Sequence, residues 1–252
     1  MKILDNKTIT TEYPYFYETH LHTNAASKCG KSTPEEMAEA CKAHGYTGII
    51  VTDHNWYGNT SIDRNLPWAE FVEGYCKSYE RTKAKGDEIG LDVFFGWESN
   101  YNATEFLIYG LDKKWLLDHP EIKDATISEQ LQLVHEGGGI VIHAHPFREE
   151  VYIQEVRLFP DLVDGVEGCN ATHTSPTSAH EYVPQYDERA RAYAKENGFP
   201  MTAGSDVHST VMIGGGIRTK DKLKDIHDFT RLILSGKDYV LYDGRNYYEP
   251  KE

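Results

Sequence analysis

Excess positive charge, long apolar runs and paired cysteines are all missing from this chain of 252 residues. Lysine and arginine number 26 against 40 aspartates and glutamates, a formal net charge of -14. Such a balance argues against stable binding to nucleic acid or an anionic membrane, both of which call for a basic surface. It leaves room for a small phosphorylated partner, because bound cations add local positive charge that a formal count omits. No run approaches the ~18 apolar residues of a membrane span. The opening MKILDNKTIT has no apolar stretch of an export leader. Cys29, Cys41, Cys76 and Cys169 form no C-x-x-C pair, so free thiols in a reducing cytoplasm are expected. Tandem repeats, low-complexity tracts and obvious linkers are missing too, and 1–252 is read as one domain.

What the chain does have is twelve histidines, several of them beside carboxylates at the ends of apolar runs. His20 and His22 follow YFYET, Asp53 and His54 follow GIIVT, and Glu98 follows VFFGW. His143 and His145 follow GGIVI, and Asp206 and His208 follow FPMTAGS. Each run reads as a buried strand, so each group of side chains falls at a strand's carboxyl edge, where α/β proteins build their sites.

The surrounding pattern is helix-then-strand. Thr33-Pro34-Glu35-Glu36 carries an N-cap, a first-turn proline and a capping-box glutamate. Met37, Ala40, Cys41 and His44 continue with helical spacing to Gly45, and Tyr46 to Thr52 follows as a strand apolar on both faces. Ser128 to Glu136, Tyr186 to Asn197 (closed by Gly198) and Asp225 to Ser235 are predicted helices. Gly139 to Ile142, Phe199 to Ala203 and Tyr239 to Leu241 are their following strands. Leu91 to Trp97 and Phe106 to Tyr109 are two further strands, close enough in sequence to be neighbours, and Leu162 to Val166 is another. About seven strands alternating with helices predict a mostly parallel, barrel-like α/β architecture. Tyr57 to Lys77 reads as a loop with some helix and Cys169 to Tyr186 as a polar loop, lengths that suit substrate walls.

Taken singly, each pair has an ordinary explanation. His20-x-His22 is either two imidazoles on one strand face or two surface histidines. Asp53 is a ligand or a turn cap, and Glu98 a bridging carboxylate or a solvated strand end. Five such endings together point instead to one pocket. A mixed imidazole and carboxylate set suits Zn, Mn or Fe(II), and so many ligands imply two or three ions. Multi-metal sites of this composition activate water and clamp phosphoryl oxygens, the chemistry of a hydrolase.

In order along the chain, HLH at 20–22, TDH at 52–54, WE at 97–98, AHP at 144–146 and GSDVH at 204–208 resemble the motifs of the PHP (polymerase and histidinol phosphatase) superfamily. The resemblance implies a distorted (β/α)7, TIM-like barrel whose strand ends hold two or three metal ions. It also implies phosphoester hydrolysis by a hydroxide bridging them. Carried over, His20, His22, Glu98 and Asp206 resemble the ligands of one ion, and Glu98 and His145 those of a second. Glu105 stands where many members have a histidine, and His54 and His208 resemble ligands of a third ion. Asp206 is thereby central to catalysis. Arg148 lies where some members hold phosphate with arginine; its other reading is a surface residue beside Glu149 and Glu150. His143 and His173 are candidate phosphate contacts, His173 also a candidate proton donor. Two departures stand out. Glu18 replaces the usual opening aspartate, and Asn24 to Cys29 offers no aspartate or histidine for the third ion, a charge role that Lys28 or Lys31 can take.

The function expected is therefore hydrolysis of a small phosphorylated metabolite or nucleotide. An oligonucleotide exonuclease or phosphodiesterase, and a non-catalytic metal-binding domain, are the alternatives. Trp56, Trp68 and Tyr182, in or beside the long loops, are candidates for stacking on a substrate ring.

Overall fold

Apolar residues alternate between two faces along most strands of this chain, and each face is covered. The computed structural model describes residues 6–251; the opening Met1 to Asp5, where the leader reading begins, lies outside the described residues. In chain order the elements are α1 (Asn6–Glu12), β1 (Tyr15–Leu21), α2 (Pro34–Ala43), β2 (Gly48–Val51), α3 (Trp68–Ile89), β3 (Asp92–Tyr101), β4 (Thr104–Tyr109), α4 (Lys113–Asp118), α5 (Ile127–Glu136), β5 (Ile140–His143), β6 (Gly165–Asn170), α6 (Ala171–Thr174), α7 (Pro184–Asn197), β7 (Met201–Gly204), β8 (Gly216–Thr219), α8 (Ile226–Ser235), β9 (Tyr239–Tyr242) and β10 (Tyr247–Tyr248). Among the described residues, no helix is long and apolar enough to cross a membrane.

Ten strands form one sheet in the order β10-β9-β8-β1-β2-β3-β4-β5-β6-β7. Pairing is parallel from β1 through β3 and from β5 through β7, while β4 is antiparallel to both its neighbours. The sheet curls until β7 returns to β1. His22 N donates to Val207 O (2.9 Å), Val207 N to His20 O (3.2 Å) and Thr19 Oγ1 to Ala203 O (2.8 Å). The result is a curled mixed sheet with helices outside. It is not a run of seven βα repeats, because β3 and β4 form a hairpin with no helix between them and β8 to β10 continue antiparallel beyond β1.

Period-two packing explains the two-sided apolarity. Leu107 and Tyr109 of β4 join one buried cluster with Ile50, Ile142, Val166 and Ala203. Phe106 and Ile108 turn the other way, onto Trp97, Val141 and the helix residues Phe71, Leu116 and Leu131. The helices start where sequence chemistry says they should. Thr33 accepts from Glu36 N (3.2 Å) while Thr33 N donates to Glu36 Oε2 (2.8 Å), and Thr126 and Glu129 repeat this box on α5. Each such cap contributes about 1 kcal/mol. Gly198 ends α7 at φ +71°, a left-handed conformation that favours glycine.

One expectation needs correcting: the strand expected over Leu162 to Val166 is β6, Gly165–Asn170, which starts three residues later. The loop with some helix expected over Tyr57 to Lys77 is a loop up to Pro67, and its helical part opens the 22-residue helix α3.

Candidate metal centre

The ends of β1, β2, β5 and β7 and the interior of β3, which runs on past Glu98 to Tyr101, deliver imidazoles and carboxylates to one place. Overlapping groups of possible ligand atoms, each group within 4.8 Å, are His20, His22 and Glu98; His20, His145 and Asp206; His54, Glu98 and Glu105; and His22, His54 and His208. His20, His22, His54 and Glu98 each occur in two groups, and of these only the Glu98 carboxylate has the oxygens to bridge adjacent ions. The imidazoles stack in a row, with ring centroids 5.8 Å apart for His20 and His145, 4.4 Å for His22 and His54, and 4.5 Å for His22 and His208.

The residues present fit metal ions. His20 Nε2, His22 Nε2, His54 Nδ1 and Glu98 Oε2 are buried and have no hydrogen-bond partner. They lie against one another and against Asp206: His54 Nδ1 is 2.7 Å from Glu98 Oε2 and His22 Nε2 3.2 Å from Asp206 Oδ1. Buried polar atoms left unpaired are costly, so aiming several at one space calls for something that satisfies them together. The backbone bends to achieve it. His145 and Asp206 hold φ at +25° and +49°, conformations non-glycine residues rarely adopt.

The charge states follow the same crowding. Burial alone would push the His20 imidazole down, but Asp206, Glu167 and Glu98 hold it well above the usual histidine range. His22 goes the other way, lowered by burial and by His54 and His208. Burial opposes ionisation of Glu98 and Asp206, yet His20 with His54, and His20 with Arg148, hold them well below the carboxylate range.

A layer behind the cluster fixes it. Glu167 Oε1 lies 2.8 Å from His20 Nδ1, and its Oε2 accepts from His145 N (3.0 Å) and Asn170 Nδ2 (3.0 Å). A carboxylate on Nδ1 sets the tautomer that frees Nε2 for an ion. Sequence reasoning did not single out Glu167; its signal was an acid flanked by Val166 and Gly168, just beyond the strand expected over Leu162 to Val166. Glu18 Oε1 accepts from both His20 N and Ser205 N (2.8 Å each), bolting β1 to the turn after β7. Burial pushes its carboxyl up to about 7. Gly204 is required beside it, since a Cβ there would fall 2.5 Å from His20 Cβ. Asp53 is no ligand here: it accepts from Thr23 N (2.8 Å) and Ser27 Oγ (2.6 Å) and so ties down the segment after the histidine pair.

A cleft of about 900 Å³ opens over the cluster, lined by Lys31, Glu105, Arg148, His173 and Asp206 among others. Glu105 Oε2 is 3.5 Å from His145 Nε2, and Arg148 donates to Asp206 Oδ2. Lys31 stands at the exposed rim; Lys28 is exposed and outside the lining. Cys29, which sequence reasoning left as an ordinary thiol, faces the cleft beside His54 and His208; these pull it down to about 6 against the effect of burial.

Four expectations fail on placement. His143 is outside the main cleft, its ring packed 4.9 Å from Phe106, and burial lowers it to about 3. The H-x-H spacing misleads because β5 stops at His143 and the left-handed His145 turns its ring elsewhere. Trp56 packs in the core against Trp68, and Trp68 Nε1 donates to Leu116 O (2.6 Å). Tyr182 lies over Arg245, 5.0 Å from its guanidinium, outside the lining. The aromatic rings that do line the cleft are Tyr152 and Tyr186.

Fold and cluster together define a metal-binding α/β protein. The chain belongs to the PHP domain family, which matches residues 18–195, with a PHP-associated segment matching 184–237. A Methanocaldococcus jannaschii protein described as uncharacterized, MJ1587, is 27% identical over 140 residues, 56% of this chain and 67% of that one. Solved structures share the fold at low identity. A two-domain Bacteroides vulgatus protein, described as containing a PHP-like metal-dependent phosphoesterase, superposes with a TM-score of 0.64 at 15% identity. That match covers 90% of this chain and 64% of the larger protein. A Bifidobacterium adolescentis protein, provisionally described as a metal-dependent phosphoesterase, gives 0.52 at 16% over 87% of this chain and 95% of that one. A Chromobacterium violaceum amidohydrolase with bound sulfate gives 0.52 at 14%, covering 76% and 87%.

Proposed function

We propose that this protein is a metal-dependent hydrolase of small phosphorylated molecules, with two or three Zn, Mn or Fe(II) ions as cofactor. One observation carries the reading: buried, unpartnered imidazole and carboxylate atoms converge beneath a cleft that also presents a guanidinium and an ammonium. His20, His22, His145, Glu98 and Asp206 would hold two ions, with Glu105 beside His145; His54 and His208 would hold a third. When bound, such ions supply Lewis-acid charge and acidify water.

The remaining tasks fall to the chain. Arg148 binds phosphate: one nitrogen is on Asp206, and its buried Nε has no partner. A guanidinium fork matches two phosphate oxygens, which orients the ester as well as holding it. Lys31 at the rim adds a point charge that draws a dianion inward. Glu149, Glu150 and Glu181 along the cleft disfavour a long polyanion, which supports a small substrate over an oligonucleotide.

The test is metal analysis of the purified protein followed by a screen of phosphomonoesters, phosphodiesters and short oligonucleotides with each ion. His22→Ala and Asp206→Asn should abolish hydrolysis while circular dichroism stays native. Full activity in either variant overturns the ligand assignment. Cleavage confined to oligonucleotides overturns the substrate class.

A further inference from the structure

His173 lines the cleft with Arg148, His145 and Asp206, yet it belongs to none of the ligand groups among the described residues. Its Nδ1 lies 2.6 Å from Asp187 Oδ1, with both side chains almost wholly buried, and its Nε2 has no hydrogen-bond partner. The ring is held from several sides. Val183 N donates to His173 O (2.8 Å), and Tyr186 meets the imidazole edge-on at 5.2 Å. Asp187 is held too: its Oδ2 accepts from Asn170 N (3.1 Å). Asn170 Nδ2 reaches Glu167 Oε2 (3.0 Å) and Asp206 Oδ2 (3.4 Å), which joins the pair to the metal centre by a chain of hydrogen bonds. A histidine needed only for packing has no use for a buried carboxylate behind it. Burying that carboxylate and leaving the ring's far nitrogen unpaired is costly, and such arrangements mark functional sites.

We propose that His173 and Asp187 form an acid–base pair that protonates the departing oxygen, and that the substrate is therefore a phosphomonoester of an aliphatic alcohol. The inference rests on the phosphoester reading above and adds the leaving group to it. With Asp187 accepting from Nδ1, Nε2 is the nitrogen that exchanges a proton. In the imidazolium form, the hydrogen on Nε2, the ring nitrogen with no partner in the protein, is the one left for the departing oxygen. Water oxygen forms the new bond to phosphorus and the P–O ester bond breaks. The electron pair leaves with the ester oxygen, which takes the Nε2 proton and departs as the alcohol. The proton lost by water returns the imidazole to its starting form through solvent, so phosphate and alcohol are the products. An aryl oxide leaves without such help; an alkoxide does not. His173 is the catalytic residue of the pair and Asp187 a positioning residue.

The experiment compares glycerol 2-phosphate with p-nitrophenyl phosphate on the metal-loaded protein. His173→Ala should lower kcat on the alkyl ester ~100- to 1,000-fold and on the aryl ester less than ~10-fold, the range general acid catalysis spans. KM should stay within about threefold for both, since the residue acts in the transition state. Asp187→Asn should repeat the split at smaller amplitude, an effect that loss of packing alone would not tie to the leaving group. If His173→Ala does not fold, His173→Gln carries the comparison. Equal loss on both esters overturns the acid–base pair and leaves the phosphoester reading standing. A wild-type protein inert toward both overturns the phosphoester reading itself.

Discussion

Arg148 lays its guanidinium on Asp206. Nη2 donates to Oδ2 of the carboxylate, and the contact is nearly sealed from water, Asp206 being 4% exposed and Arg148 16%. One side chain that the family resemblance assigns to metal is thus in direct contact with one assigned to phosphate. Asp206 charge holds the guanidinium in place, and the guanidinium keeps Asp206 ionised despite its burial.

The first prediction concerns that grip. Arg148→Ala should raise KM for phosphomonoesters about 10- to 100-fold, the worth of a charge-assisted hydrogen bond or two, with kcat within about threefold. Arg148→Lys should restore only part of it, because an ammonium has no fork. Steady-state kinetics decide, and an unchanged KM in Arg148→Ala removes the residue from substrate binding.

Glu167 is predicted to matter without touching an ion. Glu167→Gln loses the charged acceptor on His20 Nδ1 and the tautomer it enforces. Zinc or manganese affinity, measured calorimetrically, should fall ~10- to 100-fold, as loss of such outer partners does elsewhere. Wild-type affinity in the variant would mean His20 does not depend on Glu167.

Cys29 should be the reactive thiol. Held near 6, it is mostly thiolate at neutral pH, whereas Cys41, Cys76 and Cys169 are buried and raised. Iodoacetamide at pH 7 should label Cys29 at least roughly tenfold faster than the other three by peptide mass spectrometry. Zinc should slow that labelling if His54 and His208 take up the ion beside it. Equal labelling of the four cysteines would contradict the placement.

Glu18 gives a pH dependence with a definite sign. Its folded value of about 7 lies above the ordinary 4.5, so the fold favours the neutral acid. The stability this gives is full below about pH 4.5 and is lost as pH rises through 7. In metal-free protein, Glu18→Gln should raise stability above pH 7 by up to about 3 kcal/mol and change it little at pH 4.5. Thermal melts at the two pH values check this; a variant destabilised at both would show that the ionised carboxylate is the form the fold uses.

How much of this was legible depends on the residue. His20, His22, His54, Glu98, His145, Asp206 and His208 could be read because each closes an apolar run, and strand ends are where a parallel sheet exposes side chains. Glu167 could not, because β6 is built from Gly165, Glu167, Gly168 and Asn170, which carry little strand propensity, and the expected strand stopped short of it. His143 was misread because spacing of two implies a shared face only while the strand continues. Trp56 was misread because aromatic residues next to a loop look available until the neighbouring helix covers them, as α3 does here. The barrel-like curl was legible from the repeated helix-strand units, and the pairing of β3 with β4 from the short gap between their two apolar runs.

The meeting of β1 and β7 has one more consequence. Ser205 N and Glu18 are 187 positions apart in sequence, yet their hydrogen bond lies between the first histidine pair and Asp206. Bringing chain segments so distant together is entropically expensive and rewarded only once contact is made. The groups His20–His145–Asp206 and His22–His54–His208 therefore exist only where the last third of the chain has closed on its first strand, whereas His20–His22–Glu98 and His54–Glu98–Glu105 need nothing beyond residue 105.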